Sequence, residues 1–487
     1  PQIRIEDAYR IQERFIARRL AAGETIVGKK IGATSKPVQD FLGVYQPDFG
    51  MLTSGMVFAD GDTLDLGQMI QPKAEAELAF VLKHDLKGPG ITAMDVIRAT
   101  DYVVPCFEVV DSRIRDWQIK IQDTVADNAS CGVFVLGTTQ GDPRRLDITL
   151  AGMVLEKNGE VFSTGVGAAV QGTGHSVQSG GGDPLRLAVG AGAGGGWRRV
   201  GLPGRRPGQL PGEVFWKECR MSRELTLSRE DIVRLCERVE GAQTRAYAIP
   251  KLTDDYPHMT IADGYAVQNE LRRRYIAQGH RQVGWKAGLT SKAKMLQMGV
   301  SVPSIGFLTD RMARPESSAI STSDLVHPRV ECEVAFVMKA DLRGPGCTAA
   351  DVLAATDYVL PAVEIIDSRF SGFKFDLASV IADNGSSARF VGGGRSRYVA
   401  DLDLPTLGVV MEKNGEIVTM GAAAAVMGHP AEAIAMLVNI LAEMDESLPA
   451  GSFVMSGGIT EAIAVKPGDS IVARFQELGS VSMRFVE

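Results

Sequence analysis

Two short acidic stretches hold the residues best suited to chemistry. One is Glu331-Cys332-Glu333, with Glu364 on a later apolar run; the other is Glu75-Ala76-Glu77, with Glu108 placed likewise. In a strand, residues i and i+2 face the same side, so each E-x-E projects two carboxylates together. The flanking residues are apolar, and burying ionised carboxylates uncompensated is costly or shifts their pKa values. A lone E-x-E reads as the solvent face of an edge strand. The recurrence of all three carboxylates at fixed spacing favours a cation site instead. Three oxygen donors with open positions suit a hard ion such as Mg2+ or Mn2+.

Other polar residues recur around these glutamates. Lys30 and Lys286 each sit in G-x-K-x-G-x-T-S. Such a lysine is either a snorkelling surface charge or an ammonium that balances the carboxylates and moves a proton. Asp48 is matched by Ser304, a lost carboxylate that points to different proton chemistry in the two copies. Arg113 and Arg369 follow the third glutamate in D-S-R, where they either pair with a nearby aspartate or bind a substrate carboxylate. The loops carrying Ser130 (in D-N-A-S) and Ser386 (in D-N-G-S) are candidate pocket linings. Ser456-Gly457-Gly458 could offer backbone N–H groups to an anion. No histidine is shared between the copies, which argues against a His-based triad or zinc site.

These residues belong to one long internal repeat. The offset is constant, 286 − 30 = 331 − 75 = 364 − 108 = 256, so two homologous domains lie in tandem. Helices are expected over 5–22, with Ala8, Ile11, Phe15 and Leu20 on the apolar side, over its counterpart 261–278, and over 431–444. A short helix over 92–100 opens at Thr92 with Asp95 three residues on. Asn158-Gly159 marks a hairpin between 153–157 and 160–163. A helical segment over 221–256 takes Thr226 or Ser228 as its N-cap.

The repeat breaks after Gly172. Residues 173–220 are rich in Gly, Arg and Pro, with no sustained period, and read either as a flexible linker or, preferably, as an off-frame tract. The domains expected are thus 1–172, truncated, and 221–487, complete. Across 487 residues the composition is that of a globular protein, and a net charge of −7 gives no electrostatic reason for nucleic-acid binding. The six cysteines show no C-x-x-C spacing and read as reduced thiols of a cytoplasmic protein. No apolar run is read as membrane-spanning and no signal peptide opens the chain; Pro1 suggests a trimmed N-terminus.

The motifs G-x-K-x-G-x-T-S, E-x-E, F-E-V-V-D-S-R and D-N-A-S resemble the hydratase/decarboxylase family of catechol meta-cleavage pathways. The fold implied is α+β: two tandem fumarylacetoacetate hydrolase-like domains, each a mixed β-sandwich or roll with flanking helices, the first incomplete. The first copy looks like a 2-oxopent-4-enoate hydratase and the second like a 4-oxalocrotonate decarboxylase. The resemblance implies Mg2+ or Mn2+ on Glu331, Glu333 and Glu364, and on Glu75, Glu77 and Glu108. It places catalytic Lys286 and Lys30 beside the ion and gives Asp48 the hydratase's acid–base role. A small 2-oxo acid would be the substrate, and a homo-oligomer or hydratase–decarboxylase complex the assembly. Two competing readings are a C–C hydrolase acting on acylpyruvates and a first copy that only scaffolds the decarboxylase.

Overall fold

The computed structural model describes residues 3–34, 39–40, 46–170, 187–191, 224–291 and 303–487. They form two compact units that follow the repeat, apart from hairpin segment Glu156–Thr164, which groups with the second. Most of the 173–220 tract lies outside the described residues.

The first unit opens with α1 (Ile5–Ala21), β1 (Ile26–Gly32), β2 (Asp48–Thr53), β3 (Val57–Ala59) and β4 (Pro72–Leu82). The first copy continues with α2 (Ala93–Ala99), β5 (Thr100–Asp111), α3 (Ile121–Ala126), β6 (Cys131–Leu136), the hairpin β7 (Gly152–Lys157) and β8 (Glu160–Val166), and β9 (Leu187–Ala191). Seven strands make one mixed sheet in the order β2-β1-β9-β4-β5-β6-β3, while β7 and β8 pair alone. Thr92 caps α2 and Asp95 closes the box, as its spacing predicts. Asn158 and Gly159 take φ of 57° and 79°, the left-handed pair that a two-residue hairpin needs. The expected apolar face of α1 is corrected: Ala8, Gln12 and Ile16 are buried, whereas Ile11 and Leu20 are exposed. Gln12 is drawn in because its amide donates to the carbonyls of Phe49 (2.7 Å) and Val125 (3.1 Å), tying α1 to β2 and α3.

The second unit opens with α4 (Arg229–Thr244), α5 (Leu252–Asp255), α6 (Ile261–Ala277), β10 (Gln282–Gly288) and β11 (Ser304–Thr309). Next come β12 (Ala313–Arg314), β13 (Ala319–Ser321), β14 (Pro328–Met338), α7 (Ala349–Ala355), β15 (Thr356–Asp367), α8 (Leu377–Ala382) and β16 (Ser387–Gly392). It ends with β17 (Gly408–Lys413), β18 (Glu416–Ala422), α9 (Pro430–Glu443), β19 (Phe453–Met455), β20 (Ile463–Ala464), β21 (Ser470–Phe475) and β22 (Gly479–Val486). One sheet runs β11-β10-β19-β14-β15-β16-β12, with β20 on β14; a second runs β13-β22-β21-β17-β18. Ser228, not Thr226, caps α4; Thr226 donates to Asp263 on α6 at 2.7 Å.

A single buried cluster links α9 to both sheets of the second unit, through residues such as Leu437, Val363 and Phe475. In the first unit the main cluster among the described residues is small, centred on Leu52, Met56, Val104 and Phe134. The first copy lacks the sequence that makes α9, β21 and β22, and among the described residues β7 and β8 pair only with each other. One reading changes here: Ala423–Glu443 is long and apolar enough to cross a membrane by composition. It is nevertheless a core helix, with Ile434, Leu437 and Leu441 fully buried.

Candidate metal and substrate site

Antiparallel pairing of β14 with β15 sets Glu331 opposite Glu364, with Glu333 two residues along the same face. Pairing of β4 with β5 sets Glu75 opposite Glu108 in the same register. In each triad a carboxylate oxygen from every glutamate lies within 4.8 Å of the others. The two clusters are not equally enclosed: Glu331, Glu333 and Glu364 are all buried, whereas Glu75 is exposed.

The lysines complete both clusters. Lys286 Nζ lies 3.2 Å from Glu364 Oε2 and donates to the Gly385 carbonyl at 2.8 Å. Lys30 Nζ lies 2.8 Å from Glu108 Oε2 and donates to the Ala129 carbonyl at 3.0 Å. Both ammonium groups are buried, which excludes the snorkelling reading. Burial alone would push Lys286 down, but Glu364, Glu333 and Glu331 hold it above the ordinary lysine range. Burial and then the Glu364 charge push Glu333 well above the carboxylate range, against Lys286; Glu77 is pushed up likewise by burial and Glu108. One ammonium is therefore too little charge for three carboxylates.

The D-N-x-S loops deliver these carbonyls. Asn384, Gly385 and Ser386 all take positive φ, as do Asn128, Ala129 and Ser130. Three successive left-handed residues are costly for side-chain-bearing types, and the loop is fixed by its asparagine. Asn384 Oδ1 accepts from Phe307 N at 2.9 Å and its amide donates to Phe307 O at 3.0 Å; Asn128 does the same to Met51. Ser386 and Ser130 turn their hydroxyls toward Asp383 (3.3 Å) and Asp127 (3.4 Å) of their own loops.

For the arginines, which the sequence left open, the contacts favour pairing over substrate binding. Arg369 is fully buried; it pairs with Asp383 and donates to the carbonyls of Asp367 and Asp383. Arg113 makes the matching pair with Asp127 at 3.1 Å but is about a third exposed, with side-chain accessibility of 32%. Asp48, on β2, is buried and accepts from Thr124 Oγ1 at 2.9 Å. In the second copy both partners change together, to Ser304 and Val380 (124 + 256 = 380).

Ser456 and Gly457 come directly after β19. The Gly457 N–H does meet an anion, Glu333 Oε2, at 2.7 Å. Ser456 Oγ and Thr290 Oγ1 are buried without a hydrogen-bond partner among the described residues, as are Glu333 Oε1 and Glu364 Oε1. Buried polar atoms are nearly always satisfied, so this group of orphans marks a place for a ligand. The carboxylate oxygens fit a cation and the hydroxyls fit an acceptor oxygen. Thr290 was overlooked in the sequence, although it is the threonine of G-x-K-x-G-x-T-S and recurs as Thr34.

No family model matches the chain. A 4-oxalocrotonate decarboxylase of Pseudomonas sp. (strain CF600) is 58% identical over 261 residues, which is 54% of this chain and 99% of that protein. A 2-hydroxypent-2,4-dienoate hydratase of Pseudomonas putida is 60% identical over 172 residues, 35% of this chain and 78% of that protein. Among solved structures, 4-oxalocrotonate decarboxylase from Pseudomonas putida G7, complexed with magnesium and adipate, superposes with a TM-score of 0.53 at 55% identity. That match covers 54% of this chain and 100% of the other. Similarity at this level, over nearly the whole decarboxylase and more than three quarters of the hydratase, on an α+β fold, means that the chain belongs to the hydratase/decarboxylase family of the fumarylacetoacetate hydrolase-like fold.

Proposed function

We propose that the second copy decarboxylates 4-oxalocrotonate (2-oxohex-3-enedioate) to 2-hydroxypenta-2,4-dienoate. The first copy is a 2-oxopent-4-enoate hydratase-like domain for that product, with activity limited by its missing end. The observation that carries this reading is the buried Glu331–Glu333–Glu364 cluster with Lys286 and unpartnered hydroxyls beside it. The donor set fits Mg2+ or Mn2+, which Glu331, Glu333 and Glu364 would hold in the second copy and Glu75, Glu77 and Glu108 in the first. When bound, the ion supplies Lewis-acid charge to the 1-carboxylate and 2-oxo oxygens of the acid.

The chain's own residues do the rest. Thr290 and Ser456 donate hydrogen bonds to a substrate carboxylate. Breaking the C5–C6 bond releases CO2, and its electron pair moves through the conjugated system to the 2-oxygen. The Lys286 ammonium stabilises that developing charge and supplies the enol proton. In the first copy Lys30 and Asp48 are placed for the reverse need, protonation at C5 and addition of water at C4. The change of Asp48–Thr124 to Ser304–Val380 removes a water-activating carboxylate from the copy that adds no water. Buried cysteines at 106, 131, 236, 332 and 347, none in a disulfide among the described residues, support a cytoplasmic setting. A homo-oligomer or hydratase–decarboxylase complex is part of the same reading.

The test is to incubate the full chain with 2-oxohex-3-enedioate and Mg2+, following CO2 and organic products. CO2 with accumulating dienol is expected for a working second copy and a weak first. Passage on to 4-hydroxy-2-oxopentanoate would show both copies active. Absence of CO2 with metal present would overturn the decarboxylase reading.

A further inference from the structure

Strand β9 comes from the tract where the repeat is broken, yet it occupies a defined slot. In the second unit β19 lies between β10 and β14, with Met455 paired to both Lys286 and Ala335. In the first unit β9 lies between β1 and β4, with Val189 paired to both Lys30 and Ala79. Adding 256 to 30 and 79 gives 286 and 335, so Val189 stands in the register position of Met455. Both strands run parallel to one neighbour and antiparallel to the other. A ladder is made of peptide groups, so a segment of unrelated sequence can fill such a slot.

Beyond that register position the two copies diverge. Counting on from Met455 gives Ser456 and Gly457; counting on from Val189 gives Gly190 and Ala191. Gly457 takes a φ of +103°, and a Cβ built there would lie 2.2 Å from Thr290 Oγ1. Only glycine adopts that backbone without strain, and the resulting turn aims its N–H at Glu333. The register partner of Glu77 is Ala191, within the strand. Each of these glutamates keeps one buried oxygen without a hydrogen-bond partner among the described residues, Glu77 Oε2 and Glu333 Oε1. Glu75 is exposed where its counterpart Glu331 is buried.

We infer that the chain holds two divalent-cation sites of unequal strength: the second copy binds tightly because Gly457 turns its amide onto Glu333, and the first binds weakly because Ala191, kept within β9, stands at that register position and Glu75 is exposed. The inference rests on the metal reading proposed above. Outer groups that orient a ligand are worth about 10–100-fold in metal affinity, and that is the separation expected.

The experiment is a Mn2+ titration of the full chain, monitored by the electron paramagnetic resonance signal of free Mn2+ and by calorimetry. Two classes of one ion each are expected, at least about tenfold apart in Kd. Glu333→Gln should remove the tighter class and Glu77→Gln the weaker. A single tight ion, lost in Glu333→Gln and kept in Glu77→Gln, also supports the inference as its limiting case. Two equal classes, or loss of the tighter class in Glu77→Gln, would overturn it. No Mn2+ bound by the unsubstituted chain would instead overturn the metal reading itself. Near-ultraviolet circular dichroism checks folding, and Glu75→Gln, at the exposed carboxylate, replaces any Glu77 variant that unfolds.

Discussion

Lys286 and Glu364 form a buried ion pair, 3.2 Å between Nζ and Oε2, across strands 78 residues apart in sequence. Its site holds three carboxylates, so the ammonium both balances charge and is the acid nearest to them. Lys286→Met should lower the rate of CO2 release by roughly 10²–10⁴-fold with the circular dichroism spectrum unchanged. Lys286→Arg should not restore it, because the larger planar guanidinium does not fit the point contacts that the buried ammonium makes with Glu364 and the Gly385 carbonyl.

The two D-S-R arginines should differ in what they contribute to stability. Removing one partner of a fully buried pair costs about 3–5 kcal/mol, which is the loss expected for Arg369→Met. Arg113 is partly exposed, and Arg113→Met should cost about 1 kcal/mol or less through its ion pair. Calorimetric unfolding of the two variants measures the contrast.

The unpartnered hydroxyls give a binding prediction. Thr290→Val and Ser456→Ala each remove a donor worth about 1–2 kcal/mol, so KM for the 2-oxo acid should rise roughly 5–30-fold. The turnover number should change less than KM. Steady-state kinetics on each variant separates the two parameters.

Asp263 gives a pH prediction. Burial would raise its pKa, but hydrogen bonds from Thr260, Thr226 and Leu227 outweigh that and lower it below the ordinary aspartate value. A depressed carboxylate contributes stability fully present above its unfolded pKa of about 4 and lost as pH falls through the folded value. Urea midpoints should therefore drop on acidification below about pH 4. Asp263→Asn should be less stable at neutral pH and lack that part of the decline.

Strand β9 is tested by Val189→Pro. A proline in a strand paired on both sides removes a ladder hydrogen bond and does not fit there. Limited proteolysis should cut the first unit faster while the second unit resists as before.

Much of this site was legible in the sequence because its residues occur twice at one offset. Period-two spacing put Glu331 and Glu333 on one face, and the apolar company of Glu364 put it beside them. Capping signals located α2 and α4 because side chains such as Thr92 and Ser228 act within one turn. What was not legible depends on distant partners. The inward face of α1 is set by Gln12 reaching two carbonyls on other elements, which no apolar pattern records. The fate of Arg369 turned on Asp383, whose distance from it only the folded β15–α8 arrangement fixes. Strand β9 has no alternation to reveal it, since its place is defined by the open edges of β1 and β4.

Those edges carry a consequence for synthesis. Strand β4 ends at Leu82, and the segment that fills the gap beside it begins at Leu187 (187 − 82 = 105 residues later). At about 5–20 residues per second, a ribosome needs roughly 5–20 s to supply it. Through that interval two long edges stand unpaired, the geometry most prone to capture a strand from another chain. The second copy faces the same wait, from Met338 to Phe453 (453 − 338 = 115 residues). For this polypeptide, the hazard of aggregation falls during translation, before either cluster of glutamates is enclosed.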